Sequence, residues 1–248
     1  MSGSELVYGI HAVSSLLAHQ GDSVVQLYVL AGRKDKRLQA ILDKAISKGV
    51  PVEECSRADL DGRCPGVHQG VAAVTSSVVG ERREQDLAVL LDNLERPPFL
   101  LVLDGVTDPH NLGACLRSAE AAGVDAVIVP KDKSVQLNAT VRKVACGAAE
   151  IVPFIAVTNL ARTLEDLQQR GIWVFGAAGE AEQSLYEADL TGPIALVLGS
   201  EGSGLRRLTR EKCDGLVAIP MAGEVSSLNV SVSTGICLFE AVRQRGSK

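Results

Sequence analysis

Apolar positions fall into two regimes along the chain. In the first part, Ile10, Val13, Leu16 and Leu17 recur at helical spacing, and residues 24–30 (VVQLYVL) form a strand-like run. Residues 37–48 return to a helical rhythm that Gly49 stops. Residues 50–53 and 70–75 read as further strands. From Phe99 the order becomes strand, loop, helix, repeated. Residues 99–103, 126–129, 152–157, 172–175, 194–198 and 216–219 are continuous apolar runs of strand length. Between them, residues 111–122 (ending at Gly123), 137–145, 160–169 (capped by Thr158 or Asn159) and 228–243 carry helical patterns. Strands that are apolar throughout are buried on both faces, which predicts an α/β fold with a parallel sheet covered by helices.

The two regimes meet at a polar stretch. Residues 76–86 have few apolar side chains and a high charge density, so the domain boundary is placed there. A short helix at 87–94 and Arg96-Pro97-Pro98 complete the connection. This gives an N-terminal domain over 1–76, a linker over 77–97 and a C-terminal domain over 98–248.

Composition narrows the function classes. The chain has 248 residues and few aromatics, which argues against an extended base-stacking surface. No apolar run is long enough to span a bilayer, and the start MSGSELVYGIHAV lacks a signal-peptide pattern. The six cysteines and four histidines are scattered, so free thiols in a reducing cytoplasm are expected and no metal site is. A net charge of −5 argues against nucleic-acid binding by bulk charge. Local basic clusters remain at Arg33-Lys34-Asp35-Lys36-Arg37 and at Arg206, Arg207, Arg210 and Lys212. Each reads either as a phosphate contact or as a solvated face. His11 or His68 is a candidate for contacting a base, again beside a plain surface reading.

The candidate chemistry lies in three polar loops that follow the strands at 99–103, 194–198 and 216–219. In an open parallel sheet, ligands bind at the carboxyl ends of the strands, so these loops can share a pocket. The turn Gly199-Ser200-Glu201-Gly202-Ser203-Gly204 permits close backbone approach, but it is neither a dinucleotide fingerprint nor a P-loop. Glu201 inside it suits a cationic or hydroxyl-bearing partner better than a phosphate. In DPHNLGACLR (108–117), Asn111 is a candidate helix cap. Arg117, six residues on, is read as sharing roughly one side of that helix. An arginine on so apolar a helix is costly unless paired, and Glu201 is its natural partner, in a structural or a catalytic ion pair. The third loop crowds Ser226, Ser227, Asn229 and Ser231 at the start of the last helix.

Taken together, DPHNLGACLR, LGSEGSG (198–204) and IPMAGEVSSLNVSVSTG (219–235) resemble the SPOUT class of RNA ribose methyltransferases, in the SpoU/TrmH group. YGIHAVSSLL (8–17) and VHQGVAA (67–73) resemble the group's small substrate-binding domain, which is similar to the ribosomal-protein L30e fold. The resemblance implies a C-terminal SPOUT domain with a trefoil knot, S-adenosyl-L-methionine as cofactor, and a homodimer with the active site at the interface. It implies a catalytic set of Asn111, Arg117, Glu201, Ser227 and Asn229. It implies cofactor contacts from Leu198, Gly199, Gly204, Ile219, Met221, Ser227 and Leu228. Residues 101–157 resemble the members that 2′-O-methylate a guanosine in the peptidyl-transferase region of 23S ribosomal RNA. A tRNA ribose methyltransferase and an inactive RNA-binding protein of the same fold are the alternatives. Two roles are open for Arg117: a base whose proton affinity drops beside a sulfonium, or a clamp on phosphate and developing oxyanion.

Overall fold

The structure is a computed structural model, and it describes residues 5–33, 35–76 and 81–246. Lys34 and part of the expected linker, 77–80, lie outside the described residues. In chain order the elements are β1 (Glu5–Tyr8), α1 (Ile10–His19), β2 (Val24–Leu30), α2 (Lys36–Ser47), β3 (Val52–Cys55), α3 (Arg57–Arg63) and β4 (Val71–Thr75). There follow β5 (Glu81–Arg82), α4 (Asp86–Asp92), β6 (Phe99–Asp104), α5 (Pro109–Ala121), β7 (Ala126–Pro130), α6 (Ala139–Ala145) and β8 (Phe154–Val157). The chain ends with α7 (Leu160–Gln169), β9 (Trp173–Ala177), β10 (Gln183–Ser184), β11 (Ile194–Gly199), α8 (Arg207–Glu211), β12 (Gly215–Ala218) and α9 (Val230–Gly246). Two compact units form. One takes residues up to 81 together with 137–151, the other 82–136 and 152 onward.

The first unit has a four-stranded sheet in the order β1-β4-β2-β3, antiparallel except for the β2–β3 pair. Val13, Leu16 and Leu17 of α1 and Leu38 and Ile41 of α2 bury against Leu27 and Val71. The helix α2 starts where Asp35 accepts from the Arg37 and Leu38 amides. β1 and α3 are absent from the sequence reading. β1 is too short to show a period, and α3 buries only Leu60. Its legible mark is the capping box between Ser56 and Asp59. The strand expected at 50–53 is displaced to 52–55.

His68 proves to be a core group. It is buried, its Nδ1 accepts from the Gly70 amide at 3.0 Å, and its Nε2 faces Asp61 at 2.9 Å. Both ring nitrogens are used, so His68 is a core group and not the base contact that the sequence allows. His11 is exposed.

Residues 137–151 complete this unit around a buried guanidinium. Arg142, 2% exposed, donates through Nε and Nη2 to Glu5, each at 2.8 Å, and through Nη1 to Glu150 at 3.0 Å. Ser15 Oγ donates to the Gly147 carbonyl at 3.0 Å and Gln20 to the Glu150 carbonyl at 2.8 Å. Burial pushes the Glu150 carboxyl upward against the pull of Arg142. Removing one member of such a group strands a buried charge, so Arg142→Ala is expected to cost about 3–5 kcal/mol. Chemical denaturation followed by circular dichroism measures it; a loss below about 1 kcal/mol, the scale of an exposed pair, would show that the cluster is solvated.

The second unit holds the parallel sheet, ordered β10-β12-β9-β11-β6-β7-β8 with β5 at the edge. Every residue of β6, β7 and β8 is buried, as the continuous apolar runs demand. Leu87 and Leu91 of α4 and Leu160, Leu164 and Leu167 of α7 pack on one face with Leu100, Ile128 and Val197. α5 packs along α9, where Cys115 Sγ lies 3.3 Å from Thr234 Oγ1. Burial pushes the Cys115 thiol up to about 11 and the Cys237 thiol up to about 12, so both act as packing groups and neither as a nucleophile. Among the described residues no helix is long and apolar enough to cross a membrane.

Candidate active site

The sheet register brings the loops together. Leu198 pairs with Leu103 and Gly199 with Asp104, while Val217 pairs with Ala177. The loops after β6, β9, β11 and β12 therefore leave the same carboxyl edge on neighbouring strands.

The Gly-rich loop folds back on itself. The Ser200 amide donates to the Gly204 carbonyl at 3.2 Å and the Gly204 amide to the Ser200 carbonyl at 2.9 Å. Gly202 (φ 83°) and Gly204 (φ 65°) supply the left-handed conformations that this return needs. The returning limb is pinned to β6. Asp104, fully buried, accepts from the Arg206 amide at 2.9 Å and from the Arg206 guanidinium. A carboxylate so deep in the sheet requires this partner.

Three side chains then close on one another. Asn111 Nδ2 donates to Glu201 Oε1 at 2.8 Å, and Asn229 Nδ2 donates to Asn111 Oδ1 at 3.1 Å and to Glu201 Oε1. Asn229 Oδ1 accepts from the Ser231 amide at 2.9 Å and the Ser231 hydroxyl at 2.6 Å. Since the oxygen faces a backbone N–H, the amide nitrogen must face the two acceptors, which fixes the orientation of Asn229. Residues 111, 201 and 229, far apart in sequence, form one hydrogen-bonded group.

Beside this group lies a cavity of about 700 Å³. Leu198, Gly199, Gly204, Ile219, Met221, Ser227 and Leu228 all line it, together with Glu201 and Asn229. Asn111 reaches it through its hydrogen bonds. Arg117 does not line it and is exposed on α5, whereas Asn111 is buried. Six residues at roughly 100° each leave two side chains about 120° apart, so the expectation of a shared helix side is corrected. The desolvation argument for pairing Arg117 falls with it. The cap of α5 is Asp108, which accepts from His110 at 2.8 Å, and not Asn111.

Two parts of the cavity escaped the sequence reading. Ala177 at the end of β9 and the following Ala178, Gly179 and Glu180 form a wall, and Arg210 pairs there with Glu180. A glycine and a carboxylate just past an apolar strand were the available signal. The basic cluster at 206–212 is internally neutralised: Arg206 binds Asp104, Arg207 binds Glu211 at 2.6 Å, Arg210 binds Glu180, and Lys212 binds Glu165. Its reading as a phosphate contact gives way to these pairs.

Residues 98–239 match the SpoU rRNA Methylase family. The chain belongs to this family. Residues 6–78 match a second family, described as RNA 2′-O ribose methyltransferase substrate binding. Two SpoU relatives span the full length. The 23S rRNA (guanosine-2′-O-)-methyltransferase RlmB of Pseudomonas putida is 60% identical, with 100% of both chains covered. That of Escherichia coli K12 is 59% identical over 98% of this chain and 99% of its own. The SpoU methyltransferase AviRb from Streptomyces viridochromogenes, solved with AdoMet, superposes with a TM-score of 0.82 at 25% identity, covering 99% of this chain and 92% of that one. The A. aeolicus TrmH/SpoU tRNA modifying enzyme covers only 66% of this chain and 84% of its own, with a TM-score of 0.56 and 33% identity.

Proposed function

We propose that this SpoU protein transfers a methyl group from S-adenosyl-L-methionine to the 2′-oxygen of a guanosine in 23S ribosomal RNA. The observation that carries the reading is the Asn111–Glu201–Asn229 group at the wall of the cavity, in a chain about 60% identical over its whole length to the RlmB enzymes. The tRNA alternative is disfavoured because the tRNA enzyme covers only 66% of this chain, whereas the RlmB relatives cover it all.

The cavity fits the cofactor on its own terms. Its volume of about 700 Å³ lies within the range of small-ligand sites, roughly 300–1,000 Å³. Leu198, Ile219, Met221 and Leu228 offer apolar contacts for a purine, and the Gly-rich turn brings backbone close. Of the two lining carboxylates, Glu180 is paired with Arg210, whereas Glu201 accepts from the neutral amides of Asn111 and Asn229 and suits a cationic ligand. When bound, S-adenosylmethionine supplies an electrophilic methyl group on a sulfonium. Asn111, Glu201 and Asn229 hold one another and present a fixed polar wall. Ser227 faces the cavity beside them. Arg117 serves as an electrostatic clamp on the RNA phosphate and on the negative charge that develops on the attacking oxygen. Arginine is a permanent cation in proteins, and an exposed setting does not strip its solvation, so the clamp is assigned over the base.

The same proposal makes the working form a homodimer in the cytoplasm. An exposed Arg117 outside the cavity suits a residue supplied to a second copy. α9 also exposes Val232 and Phe239, each 49% accessible and seven residues apart on one helix side. The trefoil knot implied by the resemblance belongs to this proposal as well.

Mapping 2′-O-methyl sites in ribosomal RNA from a strain lacking the gene tests the function. Loss of one guanosine methylation in 23S RNA is expected, and an unchanged methylation map would overturn the reading. Asp104→Asn tests the cofactor wall. Freed from its charge partner, Arg206 can turn to solvent, so the fold should survive while the loop loosens. We expect SAM affinity to fall about tenfold, on the order of 1.4 kcal/mol, by calorimetry. Unchanged affinity would show that the pin does not shape the pocket.

A further inference from the structure

We propose that Lys131 and Lys133, on the loop after β7, hold the RNA phosphates beside the target ribose. The inference rests on the functional reading above and names the catalytic unit's own contact with the substrate strand. Free cations are scarce on the catalytic unit's conspicuous basic run. A protein of net charge −5 needs local cations to hold RNA, yet the conspicuous cluster at 206–212 is spent on Asp104, Glu211, Glu180 and Glu165. Lys131 and Lys133 are both exposed, and no ion pair among the described residues involves either. Asp132 between them is exposed too, and Lys131 Nζ donates to Thr158 Oγ1 at 3.3 Å.

Both lysines also sit at the edge of the site. β7 lies next to β6, so its following loop leaves the same carboxyl edge as the catalytic loops. The Val135 amide donates to the Val106 carbonyl at 2.9 Å. A Cβ added at Gly105 would lie 3.7 Å from the Lys133 carbonyl and 3.9 Å from Ser200 Cβ. Lys133 therefore stands beside both the loop that leads to Asn111 and the turn that carries Glu201.

The loop is also built to keep its shape. Gln136 Nε2 donates to the carbonyls of Pro130 at 3.0 Å, Lys131 at 3.4 Å and Ser134 at 3.2 Å. Lys133 adopts φ 59°, a left-handed conformation uncommon for a lysine, which the surroundings must impose. A rigid loop presenting two unneutralised ammonium groups at the site edge matches a phosphodiester, whose charge is within a few ångströms of the reacting hydroxyl.

The test uses the full-length protein and a transcribed 23S RNA fragment containing the peptidyl-transferase region. Binding is measured across a salt series for wild type, Lys131→Ala, Lys133→Ala, the double variant, and Arg207→Ala as a surface control. The double variant should bind RNA about tenfold more weakly, and each lysine removed should flatten the log–log salt slope by roughly 0.7. SAM affinity by calorimetry should not change, and Lys133→Arg should restore binding. Wild-type RNA affinity and slope in the double variant, or an equal change in Arg207→Ala, would overturn the inference. Should the wild type bind SAM yet leave the fragment unmethylated, the functional reading itself fails; methylation by the wild type with an unaffected double variant sinks the lysine assignment alone.

Discussion

Arg117→Ala should lower methyl transfer to 23S RNA by about a thousandfold, on the order of 4 kcal/mol of transition-state stabilisation. The same substitution should leave the fold and the cofactor pocket nearly untouched. Arg117 is exposed and does not line the cavity, and exposed substitutions usually change stability by less than about 0.5 kcal/mol. Single-turnover methylation, calorimetric SAM binding and thermal unfolding separate the three quantities. Near-wild-type turnover would remove Arg117 from the mechanism. A combined loss of activity and SAM affinity would place it in the pocket, against the geometry. Mixing tests the dimer directly. Asn229→Ala and Arg117→Ala protomers should each be strongly impaired alone. If Arg117 serves the neighbouring copy, a mixed dimer holds one site with both groups intact and recovers part of the activity. No recovery on mixing would mean that Arg117 serves its own chain.

The sequence was informative where one element carries one burden. β6, β7 and β8 are buried on both faces, so their apolar runs could mean little else. The three loops were legible because polar groups crowd the ends of those strands, and the register then sets Gly199 against Asp104. Pairings across the chain were less legible. The apolar helix neighbours of Arg117 suggest desolvation, but burial depends on the face that the helix turns inward, and Arg117 lies on the other one. The basic run 206–212 looks uncompensated in one dimension because its acidic partners lie up to 102 residues away, as Asp104 does from Arg206. The Ala177–Glu180 wall is not legible in the sequence for a related reason: β9 enters the site only because the sheet order sets it between β11 and β12. Residues 137–151 show the same limit. Their helical pattern was plain, but only the folded contacts of Arg142 with Glu5 and Glu150 assign them to the first unit.

Gly199→Ala should abolish SAM binding, and the cause is close approach, not backbone freedom. A Cβ at this position would lie 2.0 Å from the Gly204 carbonyl carbon, 2.2 Å from its oxygen and 2.3 Å from the Leu205 nitrogen. All three are backbone atoms, so no side chain can swing aside. The returning limb of the loop must lift. That would break the paired bonds between Ser200 and Gly204 and drag Arg206 away from the buried carboxylate of Asp104. Overpacking of this kind costs about 1–3 kcal/mol, and stranding a buried charge about 3–5 kcal/mol. The two are alternatives for the same strain, so a loss of several kcal/mol and at least a hundredfold weaker SAM binding are expected. Gly202→Ala is the matching control. Gly202 has φ 83° but open space around its Cβ position, so the change incurs only left-handed strain, about 1–2 kcal/mol. Calorimetry on both variants decides between the two causes. Equal losses would mean that the turn needs glycine for its dihedral angles alone, and the wedge between Gly199 and Gly204 would no longer explain the Gly-rich sequence.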